Sequence, residues 1–216
     1  KTLELLEKKH LEICCLSSGS ALKFADKRQE TLEELRRYIR LAAKLHTPYI
    51  RVLGDLTAAP DGDVDDQLVL SALRELIPCA EENGVTLLVE TNGVYADTAR
   101  LRELLNQIES DNIGALWDLH HPYRYAGESP ETTVQNLGAY IKYTHVKDSV
   151  VENGKTVYKI MGEGDLPMDA MMRALRSINY EGYVSLEWLK RYAPDLSDPG
   201  IVFPHFANFM EQYMAR

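Results

Sequence analysis

Four short strand-like runs in this chain each end in a side chain able to hold a metal ion, in the order Glu, Asp, His, Glu. The runs are Leu87-Leu88-Val89-Glu90, Ala115-Leu116-Trp117-Asp118, Tyr143-Thr144-His145 and Val184-Ser185-Leu186-Glu187. Three carboxylates and one imidazole form a hard, oxygen-rich donor set, better suited to Mn²⁺, Mg²⁺ or Co²⁺ than a thiolate-type zinc site is. A single Glu or Asp at a strand end is more often a cap or an ion-pair partner. Four in order, each followed by a polar loop, point instead to one rim on which parallel strands converge.

Hydrophobic periodicity supplies the elements that would hold such a rim. Strands are read at 11–16, 49–53, 85–90, 113–118, 141–146, 158–161 and 184–187, and helices near 28–45, 64–83 (kinked at Pro78), 98–110, 130–139, 167–178 and 203–214. Ser129-Pro130 reads as an N-cap with proline at the first helical position, and Glu152-Asn153-Gly154-Lys155 as a hairpin tip. Alternating helices and strands predict a (β/α)8 TIM barrel spanning 1–216 as one domain. Because the chain opens in helix-like residues, one strand of the eight is expected to be absent from the start. A doubly wound open sheet fits less well, since no glycine-rich phosphate turn follows an early strand. Placing the four ligands inward turns Val89, Trp117, Thr144 and Leu186 outward, and puts Lys147 inward beside His145.

Composition excludes several classes. The 216 residues are 45% hydrophobic and 26% charged, and no apolar run approaches the roughly 20 residues of a membrane span. A net charge of −9 argues against a nucleic-acid surface. Three cysteines, two of them adjacent, argue against a disulfide framework, and with no signal or lipidation motif a cytoplasmic setting is expected.

The runs Val89-Glu90-Thr91-Asn92, Trp117-Asp118-Leu119-His120-His121, Thr144-His145-Val146-Lys147-Asp148, Gly162-Glu163-Gly164-Asp165 and Ser185-Leu186-Glu187-Trp188 resemble the xylose isomerase-like TIM-barrel superfamily. The likeness is strongest to its sugar phosphate isomerase/epimerase group, with ketose 3-epimerases and inosose-processing enzymes. The resemblance implies one divalent metal, Mn²⁺ first and Mg²⁺, Co²⁺ or Zn²⁺ as alternatives, held by Glu90, Asp118, His145 and Glu187. It makes Glu90 and Glu187 the acid/base pair and His121 a substrate contact; a one-residue shift would exchange His121 with His120. Lys147, Arg124, Glu163 and Trp188 are further candidate substrate contacts, each with a bland reading as an ion pair, a solvated loop residue, a rim turn or a packing aromatic. Tyr123 and Tyr125 sit in what reads as a covering loop, and Arg51 as half of a buried ion pair. The implied chemistry is proton abstraction beside a carbonyl, through a metal-bound enediolate, on a sugar or keto-polyol.

Rival readings remain at this stage. The same intermediate serves a lyase or dehydratase, and a non-catalytic sugar-binding module would need a broken acid/base pair. An endonuclease IV-type site would need histidines where this chain has Cys15-Leu16-Ser17-Ser18-Gly19 and Leu53-Gly54-Asp55. Lys190 and Arg191 after the last strand are the candidates for a phosphate pocket, and a homo-oligomer is a further expectation.

Overall fold

The computed structural model describes residues 1–214. Helices α1 (Thr2–Lys9), α2 (Arg28–Leu45), α3 (Asp66–Glu82), α4 (Thr98–Leu105), α5 (His120–Ala126), α6 (Pro130–Leu137), α7 (Met168–Ser177) and α8 (Pro199–Met214) are interleaved with eight strands. Six of these, β1 (Cys15–Ala21), β2 (Tyr49–Leu53), β3 (Thr86–Glu90), β4 (Ile113–Asp118), β5 (Ile141–Val146) and β8 (Val184–Leu186), pair in parallel in the order β1-β2-β3-β4-β5-β8. They form a half-barrel with helices packed outside it, and among the described residues no ladder joins β1 to β8.

One expected barrel strand is something else. Tyr158 belongs to β7 (Lys155–Lys159), which pairs antiparallel with β6 (Asp148–Glu152) as a separate hairpin. Asn153 (φ 51°) and Gly154 (φ 74°) form the tip, and two left-handed residues return the chain directly, where a parallel crossover needs a dozen residues or more. Among the described residues the parallel strands therefore number six, not seven. β1 lies about four residues later than its apolar stretch suggests, because it is polar: Ser18 is fully buried and its hydroxyl donates to the Arg51 carbonyl at 3.1 Å. Helix α3 continues through Pro78. Helix starts follow their caps, with Asp65, Asp97 and Ser129 each accepting first-turn N–H groups.

Alternation sorts the strands into two faces. Ile50, Val52, Leu87, Val89, Ala115, Trp117, Ile141 and Val146 face the helices and join Leu32, Leu35, Ile39, Leu73, Leu76 and Leu101 in the main core. The opposite face carries a small apolar layer of Leu88, Leu116 and Tyr143, with Cys15 and Tyr49 against it. Each fully buried aliphatic side chain contributes about 1.5–3 kcal/mol, and this double core fixes the register. Two residues further along those strands, on the same face, stand Arg51, Glu90, Asp118 and His145.

Buried carboxylates anchor the loops above the strand ends. Asp55 accepts N–H bonds from Leu56 (2.7 Å) and Val94 (3.0 Å) and pairs with Lys23 at 2.7 Å, tying together the segments after β1, β2 and β3. Gly93, at φ 56°, lies against it so closely that a Cβ would meet Asp55 Oδ2 at 2.1 Å. Asp148 accepts N–H bonds from Ser149, Gly162 and Gly164, each at 2.9 Å, and so pins the 160–166 turn.

Candidate active site

β3, β4 and β5 deliver Glu90, Asp118 and His145 to one point, Asp118 and His145 being direct register partners, and Glu187 arrives one residue past β8. One ligand atom from each lies within 4.8 Å of the ligand atoms of the other three. The centre sits at the floor of a cleft of about 630 Å³ whose lining includes Arg51, Asn92, His121, Lys147, Tyr158 and Tyr192. Glu90 and Asp118 are buried, whereas the Glu187 side chain is 27% exposed.

Such a concentration of carboxylates needs positive charge. Arg51 donates from Nη1 to Glu90 Oε2 at 2.8 Å and from Nη2 to the Ser18 carbonyl at 2.8 Å. Lys147, 1% exposed, donates to Asp118 Oδ2 and to Glu187 Oε2, the latter at 2.6 Å. His145 Nδ1 lies 3.0 Å from Glu90 Oε1 and 3.8 Å from Glu187 Oε1. Burial alone would raise the Glu90 carboxyl, but the hydrogen bond and charge of His145 and the charge of Arg51 outweigh it and hold it well below the usual carboxylate range. Glu187 is also lowered, burial being overcome chiefly by Lys147. Lys147 is raised, because Asp118 and Glu187 outweigh the burial that would deprotonate it. Burial pushes the Asp118 carboxyl up, against the opposing charge of Lys147; three carboxyl donors and an imidazole, with a lysine ammonium already drawn between two of them, fit a divalent cation.

His145 gives that fit a pH dependence. Burial opposes its protonation, yet the Glu90 hydrogen bond and the charges of Glu90, Glu187 and Asp118 raise its pKa above 6.5. In the metal-free protein the protonated pair contributes stability that is fully present below the unfolded value and is lost as pH rises through the folded one. Metal needs the neutral ring. Mn²⁺ affinity is therefore expected to fall about tenfold per pH unit below the raised pKa, and calorimetric titration between pH 5.5 and 8 checks this. A flat affinity would contradict it.

The other expected site residues separate into two groups. His121 reaches the cleft, its Nδ1 3.1 Å from the Thr91 carbonyl and its Nε2 3.4 Å from Asp118 Oδ2. Burial and Lys147 push its pKa down to about 3, so the ring is neutral. His120 Nε2 lies 2.9 Å from Ser149 Oγ, and a ring nitrogen of His120 falls within 4.8 Å of ligand atoms of Asp118 and His121, although His120 does not line the cleft. Tyr123, Arg124 and Tyr125 belong to α5, not to a covering loop. The Arg124 guanidinium is committed to Asp165 and to the Ser149 carbonyl and hydroxyl, both at 3.0 Å. Trp188 Nε1 donates to the Ser197 carbonyl at 2.9 Å, Glu163 is exposed on the 160–166 turn, and neither lines the cleft. Lys190 is held by the carbonyls of Pro194 (3.0 Å) and Leu196 (2.5 Å) and by Asp198 (3.1 Å), away from the cleft. Tyr158, Asn92 and Tyr192 line it without having been foreseen. Tyr158 was read into a barrel strand, Asn92 stands in the Val89-Glu90-Thr91-Asn92 run without a role assigned to it, and Tyr192 occupies a loop without a chemical motif.

The three cysteines are free, and burial pushes the Cys15 thiol up to about 12, which removes it as a nucleophile at neutral pH. No helix among the described residues is long and apolar enough to cross a membrane.

A family model described as a xylose isomerase-like TIM barrel matches residues 1–203. The chain belongs to that family. Fructoselysine 3-epimerase of Shigella flexneri is 25% identical over 175 residues, 76% of this chain and 61% of that protein. The chain spans 41% to 61% of the length of the curated relatives it matches. An L-ribulose 3-epimerase structure superposes with TM-score 0.81 at 18% identity, covering 99% of this chain and 78% of that one. The IOLI protein, solved with a bound zinc atom, superposes with TM-score 0.77 at 19% identity over 98% of this chain and 81% of its own. At such identities the structural likeness speaks for the fold. The Shigella relative and the L-ribulose 3-epimerase structure are both named as 3-epimerases.

Proposed function

We propose that the cleft is the active site of a divalent-metal-dependent epimerase or isomerase that moves a proton beside the carbonyl of a sugar or keto-polyol. The observation that carries this reading is the pairing of Glu90 and Glu187: two carboxylates from strands nearly a hundred residues apart that meet at one centre, one buried and one partly open to the cleft. The naming of the Shigella relative as a 3-epimerase supports the same chemistry.

A cation held by Glu90, Asp118, His145 and Glu187, Mn²⁺ by preference over Mg²⁺, Co²⁺ or Zn²⁺, would polarise the carbonyl and its neighbouring hydroxyl. One carboxylate of the pair takes the proton from the carbon beside the carbonyl, the C–H electrons passing into an enediolate. The other carboxylate, also ionised at rest, would take a proton from water in the cleft and return it to the opposite face while the first carboxyl releases its own to water, and in the reverse direction the two exchange roles. His121, neutral and fixed by the Thr91 carbonyl, orients a substrate hydroxyl. The two cations that line the cleft, Arg51 and Lys147, are both paired with its carboxylates.

The test is a screen of free ketoses, inososes and keto-acids in D₂O with Mn²⁺. Metal-dependent deuterium incorporation beside the carbonyl, giving an epimer or an aldose–ketose pair, is the expected outcome. Loss of a β-hydroxyl as the sole product would replace the isomerase reading with a lyase, and absence of exchange from every substrate would oppose both.

A further inference from the structure

Five of the six carboxylate oxygens of the four-residue centre already have a partner, and Glu187 Oε1, 3.8 Å from His145 Nδ1, is beyond hydrogen-bond reach of one. Glu90 accepts from Arg51 and lies against His145; Asp118 Oδ1 accepts the His120 N–H at 3.0 Å; Asp118 Oδ2 and Glu187 Oε2 accept from Lys147. A cation bound by all four residues would compete with these partners for the carboxylate lone pairs. Arg51 is anchored outside the centre by the Ser18 carbonyl, and the His120 N–H belongs to the backbone of α5. Lys147 differs, because both of its hydrogen bonds go to ligand carboxylates. Its four-carbon stem is flexible, its ammonium is a compact point charge, and the side chain borders the open cleft.

We infer that Lys147 is an internal counter-cation: its ammonium occupies the centre when no metal is bound, and it swings into the cleft when a divalent ion enters. This has two consequences. The metal-free fold is protected from the repulsion of three clustered carboxylates, and metal affinity is set below what the four ligands alone would give. In the loaded protein the released ammonium faces the cleft, where it can donate to a substrate oxygen. The inference rests on the metal-site reading above, and its test separates the two.

Mn²⁺ titration of the parent and of Lys147→Met by calorimetry is the first arm. Removal of a competing charge this close is expected to tighten Mn²⁺ binding by about tenfold or more, while the melting temperature of the metal-free variant falls and that of the loaded variant stays near the parent's. Equal or weaker binding by the variant overturns the inference and leaves the metal site standing. Absence of Mn²⁺ from both proteins overturns the two together. The second arm uses the unaltered protein, so it does not depend on the variant folding. Reductive methylation read by mass spectrometry should leave Lys147 protected without metal and modify it once Mn²⁺ is bound. Equal protection in both states would contradict the displacement.

Discussion

Glu187→Gln, with metal bound, is expected to turn over at about 10²- to 10⁴-fold below the parent while still binding substrate, because one face of the substrate carbon loses its acid/base group. Glu90→Gln should lose as much. The two variants should nevertheless behave differently in stability. Glu90 is buried between Arg51 and His145, and breaking a buried pair by removing one partner costs about 3–5 kcal/mol. Glu187 is partly exposed and touches Lys147 from the edge of the cleft, so its replacement should cost much less. Deuterium exchange is the finer readout: in a two-base epimerase each variant should retain exchange from only one of the two epimers. Metal content must be measured alongside. Parental rates in both metal-loaded variants would end the acid/base assignment.

Asp118→Asn and His145→Ala address the metal directly. Neither residue is in the proton-transfer pair: Asp118 is fully buried beside the Thr91 hydroxyl and the His120 N–H, and His145 is its direct partner across the β4–β5 ladder. Loss of an outer-sphere partner commonly costs about 10- to 100-fold in metal affinity, and loss of a ligand should exceed that. Elemental analysis after dialysis should find both variants depleted relative to the parent. Unchanged stoichiometry in both would place the metal elsewhere.

The site was more legible in the sequence than the sheet that carries it. Glu90, Asp118 and His145 could be placed because their strands are strongly apolar, and the neighbours expected to face outward, Val89 and Trp117, lie in the helix-side core. Lys147 followed from the same alternation. The polar strand β1 has no such signal, since its buried Ser18 is satisfied by a backbone carbonyl on β2 that only tertiary structure supplies. The 148–159 hairpin shows the opposite difficulty. Its tip was readable from Asn153 and Gly154, but β propensity alone does not say whether Tyr158 extends the main sheet or folds back on its neighbour. Arg51 was read as a buried ion pair, and its partner proved to be Glu90, 39 residues away. Arg124 and Trp188 stand near the site in sequence, yet Asp165, Ser149 and Ser197 take their donors. Proximity along the chain says nothing about which acceptor a long side chain will find.

Glu90, Asp118, His145 and Glu187 are together proposed to hold one divalent ion. Crystals soaked in Mn²⁺ and measured at the manganese absorption edge test it most directly. A single anomalous peak is expected about 2.0–2.6 Å from a donor atom of each of the four residues, with the Lys147 ammonium withdrawn from Asp118 and Glu187. A peak bound by other residues, or none in the cleft at saturating Mn²⁺, would contradict it.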